Sequence, residues 1–185
     1  NLLAARRPVY DRILSYMLSS EKWPGWRAGV EEQPVSQHEA PMTPAHIWRE
    51  MTAEQRLTAA SALWSDADSV PQQAEAVQAI ARQLRFRAQS VLKLAPEKRA
   101  RHLAALRTVS ESMASRALVV YHLTSRRPML EAFLDALGIA HEDGLIADGE
   151  KAAPDEAKLR EASAALLAAY PAADVRIYLL TLAAQ

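Results

Sequence analysis

The sequence predicts an all-α fold, one domain spanning 1–185 with seven to nine helices in successive helical hairpins. Three observations carry this expectation. Alanine- and leucine-rich segments recur with apolar residues at helical spacing. Prolines stand at the heads of those segments, where a missing N–H costs nothing: six of the ten, Pro8, Pro44, Pro71, Pro96, Pro128 and Pro154, sit just ahead of a helical pattern. Val, Ile and Thr never alternate over a strand-length run, so no β-strand is predicted. The overall arrangement is either a solenoid-like stack or an irregular bundle.

Taken in order, the first helix is expected near 8–19, followed by a long loop or strap over 20–43 that joins it to the main helical body. Short helices follow at 44–50, with Thr43 as a possible cap, and at 53–65. The second has Thr52 at the N-cap and Gln55 at the capping-box position. The spacing then predicts one long helix over 71–93, with Ser69 as a possible cap. Its apolar face runs Ala74, Val77, Ala81, Leu84, Ala88 and Val91 in 3-4-3-4-3 steps. Helices at 96–107, 110–125 and 128–137 come next, the last closed by Gly138. After a loop of about 15 residues, a typical upper length for a structureless connection, the pattern predicts helices at 154–170 and 172–183. Both are apolar on nearly every side: Ala164 to Ala169 in one, and Val175, Ile177, Tyr178, Leu179, Leu180 and Leu182 in the other. Such helices are either central to the domain or part of a partner surface.

Two segments resemble each other. Met51-Thr-Ala-Glu-Gln-Arg56 matches Leu94-Ala-Pro-Glu-Lys-Arg99, 43 residues later, and Leu63 then corresponds to Leu106. The period suits a helical-hairpin repeat, although similar capping chemistry also makes unrelated helix starts look alike. A third copy beginning near Pro154 does not keep the period.

Composition limits the function. The 185 residues include 22 Lys/Arg, 22 Asp/Glu and no cysteine. Without cysteine there is no disulfide framework, thiolate nucleophile or Cys-based metal site, and a reducing, cytoplasmic setting is expected. The longest apolar run, Ala164 to Ala173, is far shorter than the roughly 20 residues that span a bilayer. The first residues, Asn-Leu-Leu-Ala-Ala-Arg-Arg-Pro, hold too short an apolar stretch for a secretory signal.

The balanced charge hides a segregated one. Residues 81–130 carry 11 Lys/Arg against 2 Asp/Glu, whereas 131–185 carry 4 against 10. The basic block comprises Arg82, Arg85, Arg87, Lys93, Lys98, Arg99, Arg101, Arg107, Arg116, Arg126 and Arg127. It can meet the acidic C-terminal third of the same chain, an acidic protein, or the phosphates of a nucleic acid. Arg82, Arg85 and Lys93 are expected on a stripe opposite the apolar face of their helix. Phe86 is the only aromatic among the densest positives, which disfavours base stacking.

Few residues point to chemistry. Arg99 shares a helical face with Leu103 and Leu106, where it can snorkel, pair within the core or hold an anion. The histidines lack zincin or di-iron spacing. His46, Glu50 and Glu54 lie at i, i+4 and i+8, a weak metal pattern. His122, amid Val119-Val120-Tyr121-His122-Leu123, fits a hydrogen-bonded core histidine. The acidic segment 141–150 is no EF-hand, since Leu145 and Ala147 stand where oxygen ligands are needed. Trp23 and Trp26 place two large aromatics on a turn in the strap, either anchoring it or docking on another chain.

These features predict a non-catalytic helical protein-interaction module with a protein partner or self-association, no metal and no cofactor. Its binding residues are expected among Trp23, Trp26, Arg82, Arg85, Arg87, Lys93, Arg99 and Arg101. One alternative is an anion or nucleic-acid binder using the basic block 82–127. Another is an enzyme or small-ligand binder with an inter-helix pocket around Arg99, Tyr121 and His122.

Overall fold

The computed structural model describes residues 42–146 and 156–184. The expected helix at 8–19, and the strap over 20–43 except its last two residues, lie outside the described residues, as do Trp23 and Trp26. Nine α-helices are described: α1 Pro44–Glu50, α2 Ala53–Ser65, α3 Val70–Leu84, α4 Ala88–Leu92, α5 Pro96–Ala105, α6 Glu111–Ser125, α7 Arg127–Leu137, α8 Glu156–Ala169 and α9 Ala172–Ala183. The all-α expectation holds. None of these helices is long and apolar enough to cross a membrane.

The capping chemistry works largely as read. The Thr43 hydroxyl accepts from the His46 N–H, and Ser110 caps α6 by accepting from Met113. At α2 the capping box closes both ways: Thr52 Oγ1 accepts from Gln55 N–H at 3.1 Å, and Gln55 Oε1 accepts from Thr52 N–H at 2.9 Å. Gly138, at φ 69°, ends α7 in the left-handed conformation that glycine adopts without steric cost. Ser69 stands at the N-cap of α3 but its side chain makes no cap bond. It donates instead to Asp66 and accepts from Arg116 Nε at 2.8 Å.

The single helix expected over 71–93 is two. Arg85 adopts φ 54°, and the Phe86 N–H turns back to the Ala81 carbonyl at 2.9 Å, a Schellman-type closure. The apolar period survives the break because Val91 and Ala88 still pack against the same core as Val77 and Ala81. Ala74, read as part of the buried face, is exposed; Ala76, Val77, Ile80 and Ala81 form that face.

A two-residue strand pair, β1 His141–Glu142 with β2 Leu145–Ile146, corrects the expectation of no strand. Its turn residues Asp143 and Gly144 have φ 53° and 81°. Positive φ at both central positions is the type I′ hairpin geometry, for which Asp-Gly is a strong local signal. His141 holds the hairpin against α7 through Asp135 Oδ1 at 3.2 Å.

The first six helices form an irregular bundle. α2 packs chiefly on α5 and α6, not on its sequence neighbour α3, while α1 lies on α6 and α3 on α4, α5 and α6. Trp48 of α1 is fully buried, and its indole N–H donates to the Leu106 carbonyl at the end of α5, 2.8 Å away. A second apolar cluster joins α7, α8 and α9 through Met129, Phe133, Leu159, Leu166, Val175 and Tyr178.

α9 belongs to both clusters. Ile177 and Leu180 enter the first, whereas Val175, Tyr178, Leu179 and Leu182 enter the second. Each set follows i, i+3, i+4 or i+7 spacing, so the helix carries two apolar stripes. This explains why α9 reads as apolar all round: it is central. α8 is different, since its Ala164, Ala165, Ala168 and Ala169 are exposed.

Asp174, in the first turn of α9, ties these parts together. Its Oδ1 accepts from Gln55 Nε2 at 2.8 Å and from the Tyr121 hydroxyl at 3.2 Å. Its Oδ2 lies 3.1 Å from Arg126 Nε, and the Arg126 guanidinium stacks over the Tyr121 ring. The carboxylate also sits at the positive end of the α9 dipole. Asp174→Ala should destabilise the protein by about 2–3 kcal/mol, because Arg126 loses its carboxylate and keeps only the Ser125 carbonyl, while the buried Tyr121 hydroxyl loses its acceptor. Urea unfolding of the variant measures this, and a loss near zero would mean that the network contributes no net stability.

Candidate interaction surface

All but one of the basic-block side chains separate into two populations. Three arginines are neutralised internally. Arg116 forks onto Asp66 Oδ2, with Nη2 at 2.6 Å and Nε at 3.1 Å. Ser69 and this arginine hold the Asp66 carboxyl below its ordinary range, the Ser69 hydrogen bond contributing most. Arg126 pairs with Asp174, and Arg127 reaches Asp143 at 3.3 Å. Only the last two use the acidic C-terminal third; the partner of Arg116 comes from the linker before α3.

The other population is outward. Arg82, Arg85, Arg87, Lys93, Lys98, Arg101 and Arg107 are all exposed, and none pairs with a described carboxylate. They follow the end of α3, the short α4 and the start and end of α5. The expected stripe of Arg82, Arg85 and Lys93 is not a face of one helix, because Arg85 and Lys93 cap separate helices. Between them stand two large apolar side chains held in solvent: Phe86 is 52% exposed and Leu92 56%. Phe86 follows directly from the turn at Arg85, so the left-handed residue aims both side chains away from the core.

Arg99 belongs to neither population. Its guanidinium carbon lies 4.7 Å from the centre of the Trp64 ring, at the C-terminal end of α2. Leu103, on the same face of α5, is fully buried.

Tyr121 and His122 lie elsewhere. Tyr121 contacts the Asp174 that Gln55 also bonds, near the N-terminus of α2, whereas Arg99 meets Trp64 nine residues later, roughly 13 Å along the helix. The structure therefore does not bring Arg99 together with Tyr121 and His122.

His122 links the two apolar clusters in an aromatic ladder. Its ring meets Tyr121 edge-on at 5.0 Å and Tyr178 at 5.3 Å, and Tyr178 meets Phe133 at 5.5 Å. Edge-to-face contacts at such separations are favourable. Thr181 Oγ1 already donates to the Ile177 carbonyl, so it accepts from His122 Nε2 at 3.2 Å. That places the proton on Nε2 and leaves Nδ1 a bare, buried acceptor. Burial, helped by Arg126, pushes the His122 pKa down to about 3, against a partial counter-pull from Asp174. Tyr121 is pushed well above its ordinary range, mainly by burial and then by Asp174. Both groups are thus held neutral inside the packing.

His46 lies 3.9 Å from Glu50, but Glu50 also takes Arg176 of α9 at 2.9 Å, so that corner is an ion-pair link between α1 and α9. No protein-family model, curated protein or solved structure matches the chain.

Two predictions follow from the geometry around His122 and Arg85. The unfolded chain protonates His122 near pH 6.5 and the folded one only near 3. The unfolded state therefore binds the proton first, and stability falls as the pH drops through this window by up to about 1.4 kcal/mol per pH unit. Urea unfolding across pH 7 to 4 (roughly the window of an ordinary histidine) should show this slope, and His122→Phe should flatten it. At Arg85, a side chain in the left-handed region costs energy that glycine avoids. Arg85→Gly should stabilise the fold by roughly 0.5–1 kcal/mol after the entropy of a freer unfolded chain is subtracted. A destabilised variant in thermal unfolding would mean that the Arg85 side chain makes an unseen structural contribution.

Proposed function

We propose that this protein is a helical interaction module that binds an acidic, partly apolar peptide segment of another protein on the face formed by α3, α4 and α5. The observation that supports it is a run of seven exposed cations without a described carboxylate partner, from Arg82 to Arg107, interrupted in sequence by the exposed Phe86 and Leu92. Scattered exposed apolar residues are ordinary. Two large ones within a strongly basic stretch form a different pattern, apolar anchors flanked along the chain by charge. Charge brings an acidic partner in and orients it; burial of Phe86 and Leu92 would then supply affinity.

The same features favour peptide over nucleic acid. Leu92 has no π face on which a base can stack, and Phe86 is the sole aromatic in this stretch. Self-association through the apolar C-terminal hairpin has less support, because α9 spends its apolar surface between the two internal clusters. The cysteine-free composition fits a reducing compartment such as the cytoplasm.

The test uses a short synthetic peptide in which glutamates flank a leucine and a phenylalanine, titrated by fluorescence anisotropy at about 50 and 200 mM salt. The protein should bind, less tightly at the higher salt. The double variant Arg82→Glu, Arg85→Glu should bind at least about tenfold more weakly. Absence of binding at the lower salt, or preference for a single-stranded oligonucleotide of equal charge, overturns the reading.

A further inference from the structure

Two buried hydrogen-bond donors meet at the junction of α2 and α5 with nothing to accept from them. The Trp64 indole N–H and the Arg99 Nε–H are both shut off from solvent, and neither has a partner. The guanidinium lies over the indole ring, 4.7 Å from its centre. Its terminal nitrogens, too, bond to no described residue. Folded proteins leave few buried donors unpaired, because each forfeits the hydration it had in the unfolded chain. Unpaired donors on a cation and on the ring beneath it mark a place that an anionic acceptor would complete.

The chain contains its own comparison. Arg56 and Arg99 occupy equivalent positions in the two matching segments, 43 residues apart. α2 and α5 pack antiparallel, so each arginine faces the C-terminal half of the opposite helix. Arg56 is used internally there: Nε donates to the Ala104 carbonyl at 2.9 Å and Nη1 to the Met51 carbonyl at 2.5 Å. Arg99 takes no such carbonyl. At the corresponding end of α2 stands Trp64, whose counterpart in the other segment is Arg107. The indole holds the guanidinium flat by cation–π attraction and adds a second donor. One arginine of the pair closes the bundle; the other, half-buried over the indole, leaves its donors unused.

We infer that Trp64 and Arg99 form a receptor for a single carboxylate, carried by the acidic peptide that docks on the adjoining basic face. The inference rests on that reading of the face. The planar fork of Arg99, held by its stack, matches a carboxylate in a way that an ammonium does not. Lys98 and Arg101, its exposed neighbours on α5, raise the local concentration of anions. Trp64 fixes where along the peptide the acidic group must fall relative to the residues that cover Phe86 and Leu92.

Calorimetric titration of the same glutamate-rich peptide into wild type, Arg99→Gln, Arg99→Lys, Trp64→Phe and the Arg82→Glu, Arg85→Glu double variant tests this. Arg99→Gln should weaken binding about 10- to 100-fold, as expected for lost charge-assisted hydrogen bonds. Arg99→Lys should not restore it, and Trp64→Phe, which keeps a ring under the guanidinium but removes the donor, should weaken it by about 3- to 10-fold. Arg99→Gln should melt close to wild type, whereas Arg56→Gln should melt lower, since only Arg56 holds backbone carbonyls. If Arg99→Gln binds like wild type while the double variant does not, the basic face stands and the carboxylate receptor falls. If wild type binds no peptide, both fall. If Arg99→Gln fails to fold, Trp64→Phe decides, and unchanged affinity there overturns the receptor. Tighter binding of an oligonucleotide than of the peptide, lost in Arg99→Gln, would overturn the carboxylate in favour of a phosphate.

Discussion

The position of α9 constrains the rest of this structure. A helix of twelve residues, Ala172–Ala183, must serve two apolar clusters at once. Two-sided burial leaves it no polar face with which to choose its own rotation, and apolar contacts alone specify an angle poorly. The rotation and depth are set by polar pairing near its N-terminus. Asp174 gathers donors from α2, from α6 and from Arg126 at the α6–α7 junction, and Arg176 reaches Glu50 on α1. A carboxylate so placed is hard to remove, because its partners would keep their desolvation without their acceptor.

Behind that anchor, the interior polar groups are used for structure. His122 sits between Tyr121 and Tyr178 with its proton on Nε2, and its neutral state is enforced by burial. Tyr121, Gln55 and Arg126 serve Asp174. The charge asymmetry of the sequence is thus resolved unevenly. Arg116, Arg126 and Arg127 find carboxylates, whereas the lysines and arginines from Arg82 to Arg107, Arg99 apart, are exposed, as are Phe86 and Leu92 among them. A net charge of zero and a strongly polarised surface coexist because opposite charges are separated along the chain and only some of them are brought together by folding.

The paired segments carry a related lesson. Similar starts, Met51 to Arg56 and Leu94 to Arg99, place their arginines symmetrically across an antiparallel helix pair, yet their surroundings diverge at Trp64 and Arg107. The same arginine is a clamp on backbone carbonyls in one segment and a cation stacked on an indole in the other.

Local chemistry, written within a few residues, was legible in the sequence alone. The all-α class, the Thr52–Gln55 capping box, the Gly138 stop and most helix limits rest on backbone preferences that need no distant partner. The hairpin was missed although Asp143-Gly144 suits a type I′ turn, because strands this short carry no alternation to reveal them. Tertiary structure decided whatever depends on contacts between distant residues. The break at Arg85 was hidden because two helices packing on one core continue a single apolar period. The double apolar stripe of α9 could be read as a core helix or a partner surface until its two clusters were in place. The fate of each basic residue was likewise undetermined, because charge along a chain does not reveal which carboxylate folding will bring within reach, as Asp66 meets Arg116 across 50 residues and none of the described carboxylates meets Arg82.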